Sequence, residues 1–159
     1  MSNENSSTEQ QLVVFDLSGE AYGISIESVR EIIRLQEIIQ VPRTPSFVEG
    51  VINLRGKVIP VVELRKRFGL EAKERDQDNR IVNVDIGGHE IGMVVDAVTE
   101  VLRISSNLVE PPSAVITTAD SGYLRGIAKL DDRLIILLDL EQVLSTDEKA
   151  EIGEIEMAA

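Results

Sequence analysis

One histidine and no cysteine stand among the 159 residues of this chain, so few side chains can do acid–base or nucleophilic chemistry. His89 is the only histidine, the side-chain type suited to proton transfer near neutrality, and it lies in the turn sequence Gly87-Gly88-His89-Glu90, where a solvated turn residue is expected. Without cysteine, thiolate metal sites, iron–sulfur clusters, disulfides and thiol nucleophiles are excluded. Neither a G-x-S-x-G elbow nor a phosphate-binding loop occurs. Asp16 and Asp85 occupy matching places beside glycine turns, and Asp96 matches Glu27. A phosphoacceptor would set such acids on parallel strands alternating with full helices; that alternation is missing, so these carboxylates read as turn and cap groups. What remains is recognition. Arg55, in the tight Leu54-Arg55-Gly56 turn, presents a guanidinium able to fork onto a carboxylate or carbonyl of a partner, and with Arg65 and Arg67 it forms a cationic patch in an acidic chain.

The elements that must position Arg55 occur twice. Leu12 to Ile32 matches Ile81 to Val101 at a shift of 69 residues, and Phe47 to Leu64 matches Tyr123 to Leu140 at a shift of 76. Two copies are too few for a solenoid and imply paired subdomains, the first about 11–70 and the second about 81–145. Halves of about 70 residues seldom hold a sufficient core alone, so they are expected to share apolar surface or trade terminal segments. Asp131 stands where the first copy has Arg55, so this turn is where function could have diverged.

Each copy begins as a hairpin. Apolar residues alternate on both sides of Ser18-Gly19 and again of Gly87-Gly88. A turn at Glu27-Ser28 leads into a strand through Val29 and Ile33, and Pro42 and Pro45 make an irregular passage, with Pro111 and Pro112 punctuating the second copy similarly. Val48 to Leu54 and Lys57 to Val62 form a hairpin across Arg55-Gly56, followed by a short helix over Leu64 to Phe68 that Gly69 ends. Glu71 to Arg80, with seven charges in ten residues, reads as a solvated linker of about 71–80. Leu134 to Leu138 reads as a strand buried on both faces, and a helix starting at Asp139 buries Leu140, Val143 and Leu144. Residues 1–10 are expected to be disordered and the acidic tail, 146–159, to fray. About five short strands per copy, joined by glycine turns, suggest small barrels. Val29, Ile33, Val98 and Leu102 read as core, while Gly23, Ser25, Gly92 and Ala97 would leave shallow apolar grooves if strand edges are open.

A net charge of −12 repels a phosphate backbone, and three Phe, two Tyr and no Trp give no platform for stacking bases, so nucleic acid is not an expected partner. The polar start MSNENSSTEQ is not a signal peptide, no apolar run reaches membrane-spanning length, and the absence of cysteine fits a reducing cytoplasm.

Four segments carry a resemblance: EAYGISIESVREI from Glu20, VPRTPSFVEGVINLRGKVIPVVELRKRF from Val41, IGMVVDAVTEVL from Ile91 and YLRGIAKLDDRLIILLDLEQVL from Tyr123. In this order they resemble the CheW-like coupling domains of bacterial chemotaxis, which also serve as the regulatory domain of the sensory kinase CheA. The likeness covers about residues 11–145. It implies a mainly β fold of two intertwined five-stranded SH3-like barrels with short helices, one of them near the C-terminus. It also implies a non-enzymatic adaptor, without cofactor, that joins the cytoplasmic tip of chemoreceptors to the histidine kinase CheA. The position of Arg55 is the one linked in the family to receptor and kinase coupling. Those of Val29, Glu31 and Val98 lie at or near partner surfaces, and Ile33 and Leu54 are neighbours. Such a protein is expected to be cytoplasmic, monomeric alone, recruited to receptor arrays and built there into rings or lattices. Related pathways that control pili or surface motility use the same fold. From the residues alone, a small-barrel enzyme centred on His89 or a carboxylate, and a sensor binding a small ligand between the barrels, stand as other readings.

Overall fold

A computed structural model describes residues 9–111 and 123–158; Pro112 and residues 1–8 of the expected disordered tail lie outside them. The strands are β1 (Glu9–Leu17), β2 (Glu20–Ser25), β3 (Val29–Arg34), β4 (Val48–Leu54), β5 (Lys57–Glu63), β6 (Arg80–Ile86), β7 (His89–Val95), β8 (Ala97–Ser105), β9 (Val109–Glu110), β10 (Leu124–Lys129) and β11 (Leu134–Leu138). The helices are α1 (Leu64–Arg67), α2 (Leu140–Val143) and α3 (Thr146–Ala158), with single 3-10 turns at Ile26–Ser28 and Ser106–Leu108. The turns at Ser18-Gly19, Arg55-Gly56 and Gly87-Gly88 each place two residues at positive φ, the type I′ geometry that matches the twist of a two-residue hairpin.

The strands form two sheets, ordered β8-β1-β2-β11-β10-β9 and β3-β6-β7-β5-β4. Ile39 bridges Val51 on the outer side of β4, just as Glu110 of β9 pairs with Ile127 of β10. The second sheet therefore repeats the six-place order of the first, with five named strands. The fold is mainly β and SH3-like, and among the described residues no strand pairing joins the first strand of either sheet to its last, so the barrels are curled but not closed.

Neither sheet is made from one copy of the repeat. The first-copy hairpin β1-β2 lies between β8 and β11 of the second copy, and the second-copy hairpin β6-β7 lies between β3 and β5 of the first. Each exchanged hairpin meets its host through a parallel pair: Gly23 opposite Leu137, and Gly92 opposite Val61. A Cβ on Gly23 would stand 3.1 Å from Ile135 Cγ2, and one on Gly92 2.8 Å from Ile81 Cγ2. These glycines are covered by core side chains, so their small size serves the crossing of the copies and not the external grooves expected from sequence.

Three apolar clusters follow from this exchange. Leu12, Val14, Ile104, Ala128, Ile135 and Leu137 fill the six-stranded barrel, and Ile52, Ile59, Val61, Ile81 and Val94 fill the other. The largest cluster, including Val13, Phe15, Val82, Val84, Met93, Val95 and Leu138, lies between the sheets. Alternate residues of β1 and β6 serve the two environments, which is why these strands are apolar on both faces. Phe15, Tyr22, Phe68 and Tyr123 stack in series, with centroid separations of 5.9, 6.1 and 4.5 Å.

Bulges let one edge strand serve two cores. Arg30 is the extra residue of β3 between Val29 and Glu31, and Thr99 that of β8 between Val98 and Glu100. Each bulge reverses the alternation, so Val29 and Val98 pack on the cluster between the sheets, whereas Ile33 and Leu102 pack inside their barrels. A second pair of bulges stands at Glu49 and Arg125, each just before a glycine.

The chain's polar segments also carry structure. Glu9 and Gln10 belong to β1. The 71–80 segment is tied down, since Arg75 pairs with Glu49 (2.8 Å) and Glu63 (3.2 Å), and buried Asn79 donates to Val95 O (2.9 Å). In the acidic tail, Ser145 and Glu148 cap α3 reciprocally, and Ile152 is fully buried in the cluster between the sheets. Leu134 also departs from the reading of its strand, being 57% exposed while Ile135, Leu137 and Leu138 are buried.

The chain crosses between sheets at Asp96, where a buried ion pair holds the junction. Arg65 of α1 donates two hydrogen bonds to the Asp96 carboxylate, at 2.8 and 2.6 Å, and Ser18 N donates to it at 2.8 Å. Arg65 hydrogen bonding holds the Asp96 carboxyl below its ordinary range. A folded-state pKa below the unfolded one stabilises the fold above about pH 4, and this contribution is lost as pH falls through the depressed value. Asp96→Ala should cost about 3 kcal/mol in urea unfolding at pH 7, because it strands Arg65, and much of that difference should vanish at pH 2. Gly50→Ala should cost at least about 2 kcal/mol, since its Cβ would lie 2.1 Å from Ile39 O at φ 145°; Gly19→Ala, with open space around it, should cost about 1 kcal/mol.

Candidate functional site: a charged barrel mouth

Strand alternation directs Glu31, Lys57, Asn83, Asp85 and Glu90 to the interior face of the five-stranded barrel, at the end closed by the β4–β5 turn. Arg55 crowns that turn at φ 53°, a left-handed conformation costly for a residue with a Cβ, while Gly56 N donates to Asn53 Oδ1 at 2.8 Å. Its guanidinium reaches across the open seam to β3 and grips Glu31 bidentately, Nη2 to Oε1 at 2.6 Å and Nη1 to Oε2 at 3.2 Å. The Arg55 side chain is nevertheless 70% exposed, against 32% for Glu31. Hydrogen bonding from Arg55 lowers the Glu31 pKa.

A second polar chain runs beside the first. Lys57 Nζ lies 2.7 Å from Glu90 Oε1, Asn83 Nδ2 lies 3.5 Å from Glu90 Oε2, and Asn83 is the cross-strand partner of Glu31. Asn83 is fully buried, and its Oδ1 has no hydrogen-bond partner. Arg30 pairs with Asp85 at 2.9 Å, and Asp85 Oδ1 also accepts from Gly88 N at 3.1 Å, the turn role expected for it.

The structure brings four of the six sequence-predicted residues together. Glu31 and Arg55 are bonded, and Ile33 and Leu54 pack beneath them against the same small core. Val29 shares their strand but faces the opposite side because of the bulge, and Val98 stands in the other sheet. Ile32, one residue from Ile33, is the exposed apolar side chain of β3, and its repeat counterpart Val101 is the exposed one of β8. The expected cationic patch does not form, since Arg65 is bound by Asp96 and Arg67 by Glu148 at 3.3 Å. His89 is not a freely solvated turn residue: it is half-buried at the start of β7, against Gly153 of α3. Arg30, Lys57, Asn83 and Glu90 were passed over in sequence; the signal available was that Asn83 and Glu90 align with Val14 and Ala21.

Among the described residues no cluster of three or more His, Asp or Glu could hold a metal ion, and no helix is long and apolar enough to cross a membrane. The arrangement can orient a guanidinium and offer it, with a rim of paired charges, to another molecule. Paired, hairpin-exchanged SH3-like barrels define the fold class of the chain. More specifically, the CheW-like domain family matches residues 11–148, and the chain belongs to that family. The chain is 33% identical over 146 residues to a chemotaxis protein CheW of Klebsiella aerogenes, spanning 92% of this chain and 88% of that protein. Its counterpart in Helicobacter pylori is 36% identical over 138 residues, or 86% and 82% of the two chains. The crystal structure of scaffolding protein TtCheW from Thermoanaerobacter tengcongensis superposes with a TM-score of 0.80 at 44% identity, covering 87% of this chain and 94% of that one.

The Glu31 carboxyl should titrate below the ordinary glutamate range when followed by carbon NMR, and in Arg55→Ala its midpoint should rise to or above that range. An unchanged midpoint would mean that the pair does not form in solution.

Proposed function

We propose that this chain is a non-enzymatic adaptor that couples chemoreceptors, the methyl-accepting chemotaxis proteins, to the histidine kinase CheA, working in the cytoplasm at receptor arrays. Membership of a family of chemotaxis scaffold proteins supports the reading. The observation that carries it is Arg55: an arginine kept in a strained left-handed turn, largely exposed, and oriented by a bidentate carboxylate. Strain of this sort persists where the presented side chain matters more than local stability.

Arg55 and Glu31 are the polar contact with a partner, Leu54 and Ile33 support them from below, and Val29 and Val98 belong to apolar partner surfaces. A partner carboxylate can share or replace Glu31 on the guanidinium, which makes the contact directional, exchangeable and sensitive to salt. Two barrels with unlike mouths give one chain two docking faces, one for a receptor tip and one for the related double barrel of the kinase. Many modest contacts of this kind add by avidity when such modules join into rings or lattices.

Titrating isotope-labelled protein with a receptor-tip fragment, and separately with the CheA regulatory domain, should give saturable NMR shift changes with both. Arg55→Ala should weaken one of the two complexes roughly tenfold while moving the melting temperature by no more than about 2 °C. Absence of binding to either fragment would overturn the adaptor reading.

A further inference from the structure

The two barrel mouths are internal controls for each other. Glu31 corresponds to Glu100 in the repeat, Arg55 to Asp131, and Lys57 to Arg133. In both barrels the glutamate is gripped across the seam by an arginine, but not by the same position: Arg55 holds Glu31, whereas Arg133 holds Glu100. In the six-stranded barrel, where Asp131 replaces Arg55, the cation at the Lys57 position thus holds the glutamate. In the five-stranded barrel it is not free, because Lys57 is bound to Glu90, whose side chain is only 11% exposed. The counterpart of Glu90 in the six-stranded barrel is Ala21, and that of Asn83, which donates to Glu90, is Val14. Only one barrel thus has the second carboxylate, and only there does an arginine at the tip of the turn own the first.

We propose that Glu90 is a positioning residue for the docking arginine: by occupying Lys57 it reserves Glu31 for Arg55, and Asn83 holds Glu90 in place. This rests on the reading of Arg55 as a partner contact and adds the group that sets its orientation. Other charges facing the mouth are accounted for, since Arg30 and Asp85 hold each other. Glu90 lies near enough to raise the pKa values of Arg30 and Arg55 through its charge, behind the main effects of Asp85 and Glu31 respectively. A buried asparagine with an orphaned oxygen is a stability cost that the other barrel avoids with valine, which fits a residue retained for what it holds.

The test is a pair of full-length variants, Glu90→Gln and Glu90→Gln/Lys57→Met. The glutamine keeps the shape and a hydrogen bond to Asn83 but loses the charge that holds Lys57. The first readout is the Arg55 Nε–H resonance, assigned by its loss in Arg55→Ala. In Glu90→Gln it should move toward the position of a free arginine, and affinity for whichever fragment responds to Arg55→Ala should fall about fivefold. Removing the freed lysine should restore both in the double variant, to within about twofold of wild type. An unmoved resonance in Glu90→Gln, or a double variant no better than the single one, overturns the proposal. The resonance is measured without partner, so it decides the positioning role even if Arg55 proves irrelevant to docking; thermal unfolding of both variants confirms that they are folded.

Discussion

Everything in this molecule depends on two places where a strand of one repeat runs parallel to a strand of the other with almost nothing between them. At Gly23 and Gly92 the exchanged hairpins press against Leu137 and Val61, and the space a Cβ would need is filled by Ile135, Leu137 and Ile81. These contacts commit each hairpin to the other copy's sheet. Once that is done, alternate faces of β1 and β6 must serve both a barrel interior and the layer between barrels, and the apolar content of those strands is accounted for. The small interiors of the barrels could not stand alone; the large shared layer is what makes one body of them.

The same geometry places the site. Because β3 and β4 are opposite edges of an unclosed sheet, a side chain from the β4–β5 turn can reach β3 only across the seam, and Arg55 does so. The bulge at Arg30 sends Glu31 and Ile33 inward and leaves Val29 outward, so one short strand contributes to a polar mouth and to an apolar layer. Ionic contacts do for the seam what ladder hydrogen bonds do elsewhere, but they can be exchanged for contacts with another protein. The mouth is therefore both part of the fold's closure and open to competition.

Much of this was legible in the residues. The repeat, the glycine hairpins, the turn at Glu27-Ser28 and the helix after Leu64 follow from local patterns whose physics is local. That the halves trade segments was one of the two arrangements expected from their small size; which hairpin joins which sheet was not legible, since exchanged and unexchanged arrangements of a repeat bury the same residues. Bulges were hidden too, and one extra residue at Arg30 puts Val29 and Ile33, which would share a face of a regular strand, on opposite faces and makes Ile32 the exposed neighbour. The C-terminal helix was masked by its acidity: Ile152, with the pair Arg67–Glu148, anchors what composition suggested was loose. Arg55 was visible because its copy differs, whereas Glu90 was passed over because a glutamate in a hairpin reads as solvent-facing.

The exchange of hairpins also governs the order in which the chain can become a protein. As it leaves the ribosome, β1 and β2 must wait for β8, at the far side of residue 96, and for β11 after residue 133 before either has both of its sheet neighbours. The first-copy strands β3 and β5 likewise wait for β6 and β7. Three of the five strand pairings outside the hairpins, β1–β8, β2–β11 and β3–β6, join distant parts of the sequence, a topology of high contact order that folds slowly and late. Until synthesis is almost complete, apolar strands with unpaired edges are exposed, and the abundant negative charge of the chain works to keep such chains apart.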